Sequence, residues 1–156
     1  MDYELLYQRA LEEITFRQEF LNQIDLKEYK RYITKIIYKH KSKKDKRLMW
    51  CKPVFSFNIF KPVHSKIIVF VDAFDPQIHV NFADFYCSLI FHEGFHAFEN
   101  YYNHHNANYI PPISAPHYDL FFDLRELRAY ENQSKHLTAE NINGGLFCHC
   151  LGDVIV

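Results

Sequence analysis

Residues 91–102 read FHEGFHAFENYY, two histidines and a glutamate set into a run of phenylalanine, tyrosine and alanine. From Phe82 to Phe98 nearly every residue is apolar, and this predicts a helix over 82–102 that is buried almost all round. Its polar exceptions are Asp84, Ser88, His92, Glu93 and His96. Four of these (Asp84, Ser88, His92 and His96) recur every fourth residue and share one face of a helix. A polar seam inside an apolar helix needs partners. Two histidines one turn apart can both reach a zinc ion, and Glu93, beside the first, can reach a water on that ion. Gly94 fits the same picture. A mid-helix glycine costs about 1 kcal/mol relative to alanine, which is understandable where another backbone comes close. The competing reading is a hydrogen-bonded histidine pair with no metal.

Moving outward, Asn81, with Asp84 three residues on, is a natural N-cap for this helix. Upstream, VFSFNIF (54–60) alternates like a half-buried strand, and KIIVFV (66–71) is a continuous run suited to a strand covered on both faces. DAFDPQ (72–77) is turn chemistry, and IHV (78–80) reads as a short third strand. Further back, the spacing predicts a helix over 3–24 and a second with Tyr29, Tyr32, Ile33, Ile36 and Ile37 on one face. Downstream, NHHNANYIPPISAP (103–116) is a proline-stiffened loop. The next helix is expected over 117–136, with Leu120, Leu124 and Leu127 as its core side. The tail from Gly144 is expected to end as a strand or extended segment, its Cys148-His149-Cys150 as small buried residues.

A catalytic zinc site takes three protein ligands and an open position. His104 and His105 lie eight and nine residues past His96, too far along a continuing helix to reach the same ion. In DLRELRAYENQ (123–133), Glu126 shares a face with Ala129, a residue small enough to bring this helix close. Glu126 is therefore the favoured third ligand, ahead of Glu131, Asp123 and His117. The bland alternative is a surface glutamate paired with Arg125 or Arg128.

HExxH on one helix, followed by a glutamate in an E-x-x-A helix, resembles the gluzincin branch of the zincin metallopeptidases across residues 54–136. The metzincin branch is excluded, because Glu99 stands where its turn glycine would be and Tyr102 where its third histidine would be. The resemblance implies His92, His96 and Glu126 as zinc ligands and Glu93 as the general base that takes a proton from the attacking water. It also implies a small sheet above the motif helix, whose edge strand (PQIHVNF or VFSFNIF) would hold an extended peptide. Tyr130 departs from the thermolysin-like pattern, which has an aspartate there to orient a histidine ligand. That support must come from elsewhere, with Asp84, Asp119 and Asp123 as candidates. His117, Tyr118, Tyr130 and His149 are candidates for steadying the reacting carbonyl.

The whole-chain numbers set the frame. At 156 residues and 48% apolar, the chain reads as one domain, 1–156, able to bury a sizeable core. The expected fold is α+β and zincin-like: a small mixed or antiparallel sheet on the motif helix, with a helical N-terminal part (1–50) and further helices at both ends. A net charge of −1 argues against nucleic-acid binding as the dominant purpose. The basic run KHKSKKDKR (39–47) reads as a solvated helix end and loop, with a phosphate-binding patch as the alternative. No apolar run approaches the roughly 18 residues that span a bilayer, so no membrane partner is expected. The first residues mix charges through every turn, unlike a targeting signal. The four cysteines contain no CxxC pair, which suits reduced thiols and a cytoplasmic protein. The expected activity is zinc-dependent hydrolysis of a peptide or protein substrate. The alternative is an inactive zincin-fold zinc-binding or protein-interaction module.

Overall fold

The β-branched run KIIVFV becomes the central strand of a three-stranded sheet in the computed structural model, which describes residues 1–44, 46–54, 61–103 and 118–136. The elements are α1 (Tyr3–Glu12), α2 (Arg17–Gln23), β1 (Ile33–Lys39), β2 (Met49–Val54), β3 (His64–Phe70), α3 (Phe82–Tyr86), a π-helical segment (Cys87–Glu93), α4 (Gly94–Asn103) and α5 (Tyr118–His136). The architecture is α+β, as expected. The sheet is mixed, in the order β1-β3-β2, with β1 parallel and β2 antiparallel to β3. No helix among the described residues is long and apolar enough to cross a membrane.

The single N-terminal helix expected over 3–24 breaks in two at Glu13, whose backbone is extended. Buried Arg17 explains the break. Its guanidinium donates to the carbonyls of Ala10 at 2.8 Å and Leu11 at 3.2 Å, completing the C-terminus of α1. The second expected helix is instead a 3-10 turn followed by strand β1. The strand IHV is also absent. Ile78 and His79 both donate to the Asp75 carbonyl, closing a turn that aims the His79 ring inward.

Both edges of the sheet are sealed by side chains. At β1, the Gln18 amide accepts from Tyr38 N–H at 2.7 Å and donates to the Ile36 carbonyl at 3.1 Å, imitating a further strand. At β2, the Glu93 carboxylate accepts from Cys51 N–H at 2.7 Å. One sheet face packs on α4, where Asn100 donates to Ser65 Oγ at 3.0 Å beside buried Cys51. Beneath α1 and α2, Tyr7, Phe20, Phe74 and Phe85 form the aromatic centre of the core.

The motif helix runs unbroken over 82–103, and Asn81 caps it as expected, accepting from Asp84 N–H at 2.9 Å. The expected loop and tail beyond it, with His104, His105, His117 and Cys148–Cys150, lie outside the described residues, as does VFSFNIF beyond Val54. On α5 two of the three leucines expected on the core side do not lie there, and the side chain of Leu120 is not among those described. Leu124 and Leu127 are exposed, and the inward face is Ala129 with Asn132 and Gln133. Asn132 donates to the Phe91 carbonyl at 2.7 Å, at the end of the π-helical segment where regular bonding is disturbed. It also donates to Tyr29 Oη at 3.0 Å.

Candidate metal centre

His92 stands on the π-helical segment and His96 on the first turn of α4, with their rings edge to face and centroids 5.0 Å apart. Opposite them, the fully buried Ala129 lets α5 lie close enough for Glu126, one turn earlier, to reach across. His92 Nε2 is 3.2 Å from Glu126 Oε2, and His96 Nε2 is 3.1 Å from Glu126 Oε1. One donor atom from each of these residues lies within 4.8 Å of the others. Arg125 and Arg128 do not take Glu126, so the surface-pair alternative is not the arrangement found; both arginines bind Glu99 instead.

The donor set suits a borderline cation such as Zn²⁺: two imidazole nitrogens and one carboxylate oxygen. A more telling observation concerns His96 Nε2. Although 3.1 Å from a carboxylate oxygen, it is out of line for a hydrogen bond and counts as a buried nitrogen without a partner. Buried polar atoms are rarely left so, and a cation shared by the three groups would satisfy it. The residues therefore fit the metal that the motif implies. The charges show that a cation here would compete with a proton on His96. Burial alone would push the His96 imidazole down, but the carboxylates of Glu126 and Glu99 outweigh it and raise its pKa to about 9. Burial likewise opposes ionisation of Glu126, yet the two histidines hold its carboxyl well below the usual range.

The support for His96 comes from a residue that the sequence reading passed over. Glu99, buried on α4, places Oε2 3.6 Å from His96 Nδ1. Two arginines of α5 hold it: Arg125 Nε at 3.2 Å and Arg128 Nη2 at 2.8 Å. Arg125 also donates to Asn100 Oδ1 at 2.8 Å, which ties α5 to the sheet through Ser65. The signal was available: Glu99 is three residues after His96, the spacing of neighbours on a helix. Asp84, one of the candidates to orient a ligand, is buried on α3, its Oδ2 without a hydrogen-bond partner, and lies outside the cluster. The π-helical segment is the reason, since it inserts extra residues per turn and scatters the line expected from α-helical spacing. Ser88 accordingly meets His79 Nε2 at 3.1 Å rather than the site. Asp123 and Glu131 are exposed and outside the cluster, and the side chain of Asp119 is not among those described.

Glu93 is buried next to His92, with Oε2 on Cys51 N–H. Tyr130, a candidate for steadying the reacting carbonyl, packs its ring 4.4 Å from that of His92. Gly94 does face a close neighbour, but it is the ring of Tyr29 rather than a backbone. A Cβ there would sit 3.0 Å from Tyr29 Cγ. Cys87 is core, and burial pushes its thiol up to about 11. Comparison of the chain with protein-family models, curated proteins and solved structures found no match.

Proposed function

We propose that His92, His96 and Glu126 bind Zn²⁺ and that the chain hydrolyses peptide bonds with Glu93 as general base. The observation that carries this reading is the convergence of the three donor atoms on one point from two helices. When bound, zinc polarises a carbonyl and makes water a usable nucleophile near neutral pH. The protein's own groups supply the rest. Glu126, ionised between two imidazoles, keeps the site anionic, and Glu99 fixes the orientation of the His96 ring. Glu93 is the carboxylate one residue from a ligand, the position from which a proton can be taken from water and returned to the leaving amine. Strand β2 is the sheet edge beside Glu93, and an extended peptide would pair there only by taking the Cys51 N–H from the Glu93 carboxylate, which frees that carboxylate to act as base.

A second reading rests on one distance. The 2.7 Å bond from Cys51 N–H to Glu93 seals the sheet edge, as Gln18 seals the other, and this suits a zinc-stabilised binding module without catalysis. Zinc-edge X-ray absorption combined with assays of Glu93→Gln separates the two. The enzyme reading expects two nitrogens and one oxygen from protein at about 2.0–2.2 Å, and hydrolysis that Glu93→Gln abolishes while zinc stays bound. Zinc bound with no cleavage of a peptide library or of the chain itself would select the binding module. No zinc uptake would end both.

A further inference from the structure

The whole-chain charge of −1 conceals a strong polarisation. Residues 35–52 carry seven lysines, one arginine and one aspartate, a net +7, and the other 138 residues carry −8. Strand register gathers part of this charge on one face of the sheet. Lys35, Lys66 and Lys52 are direct cross-strand partners, one from each strand, so their ammonium groups form a row across the sheet. Directly opposed like charges destabilise a sheet. Among the described residues, none of the three has a carboxylate within ion-pair distance. The row lies on the face opposite the one holding Ile67, Cys51 and Ser65, which packs on α4.

Two residues along the same face, the next row is Ile37, Ile68 and Trp50. Ile68 is buried, while Trp50, on the edge strand β2, is half-buried. Cations surround that ring: Lys43 Nζ at 4.7 Å, Lys52 Nζ at 5.2 Å and Arg47 Cζ at 5.5 Å from its centroid. An aromatic face among cations, beside a row of lysines on a sheet, combines the two features that bind single strands: a ring for a base and charge for the phosphates. Duplex grooves admit a helix or ribbon rather than a flat sheet face. A membrane would need exposed apolar side chains, and Ile68 is not exposed.

We propose that this sheet face, built from Lys35, Lys52, Lys66 and Trp50 with Lys43 and Arg47, binds single-stranded nucleic acid, one base stacking on Trp50. Nothing in it depends on the metal centre, so the two readings can fail separately. Trp50 is the single tryptophan of the chain, which makes its fluorescence a direct reporter.

The probe is a labelled oligothymidylate, read by anisotropy and by Trp50 quenching over about 50–200 mM salt, with log K expected to fall linearly against log salt. Trp50→Ala should weaken binding by about tenfold or more, and Trp50→Phe should recover most of the loss. Lys35→Gln with Lys52→Gln and Lys66→Gln should reduce the salt slope by about 2. Because these changes remove repulsion, the triple variant should fold at least as stably as the parent, so its loss of binding cannot be blamed on unfolding. Chelator-treated protein should bind as well as zinc-loaded protein. Unchanged Trp50 emission, an unaltered salt slope in the triple variant, or tighter binding to duplex or to phosphatidylserine vesicles at equal phosphate would each overturn the proposal.

Discussion

Glu99 adjoins the candidate metal centre without being one of its three donors. Its carboxylate faces His96 Nδ1, and two arginines from the helix that supplies Glu126 hold it in place. One side chain thus faces His96 and joins the helices that carry His96 and Glu126. Glu99→Gln should lower zinc affinity by about 10–100-fold, the usual effect of losing such a partner. Chelator competition followed with a zinc-sensitive dye measures it, and unchanged affinity would show that Glu99 only ties α5 down. The three members of the His92, His96 and Glu126 cluster were legible because the signals for them are local. His92 and His96 are spaced for one ion, and Ala129 marks where α5 can come close. Glu99 is harder to read, because the HExxH pattern assigns no role to the residue three places after its second histidine. Its two arginines come from a different helix, and that pairing is a tertiary fact which no spacing within 91–102 displays.

Among the elements, the motif helix and α5 meet through a relay that begins at Gly94. A Cβ at this position would press on Tyr29, and Tyr29 Oη is held by Asn132, which also bonds the Phe91 carbonyl. Gly94→Ala gains helix propensity but forces the ring aside, so a net loss of about 1–2 kcal/mol is expected. Asn132→Ala should cost about 1–3 kcal/mol by leaving the buried Phe91 carbonyl without its donor. Both can be read by urea denaturation of the metal-free protein. A stabilised Gly94→Ala variant would mean that Tyr29 moves freely and the relay is absent. The element that defeated the sequence reading is β1, for an identifiable reason. Ile33 and Ile36 are both buried, three residues apart as on a helix. A bulge between Ile33 and Lys35 shifts the register by one residue and produces this spacing within a strand. The β-branched content of ITKII was the better guide. The leucines of α5 misled in the opposite direction, since polar groups rather than Leu124 and Leu127 dock that helix.

For the molecule as a whole, two buried histidines set opposing dependences on pH. His79, buried against the Ala73 carbonyl, has its pKa pushed below the ordinary value of 6.5, chiefly by burial. The unfolded chain therefore binds this proton more readily, and stability falls as pH drops below about 6.5. His96 runs the other way. With its pKa raised to about 9, its charged contact with Glu126 and Glu99 is fully present below 6.5 and is lost as pH rises towards 9. The metal-free protein should consequently be most stable near pH 6.5 and lose melting temperature on either side. Zinc at the proposed site would reverse the alkaline limb, because a histidine ligand must be neutral and binding would release its proton. At a free zinc concentration of about 100 times Kd, the metal adds about 2.7 kcal/mol, and the gain should grow from pH 6.5 to 8 as the proton competes less. Differential scanning fluorimetry across pH, with and without chelator, reads both limbs. If zinc raised the melting temperature equally at pH 6 and pH 8, His96 would not be a ligand. If His79→Gln left the acid limb unchanged, that limb would belong to other groups.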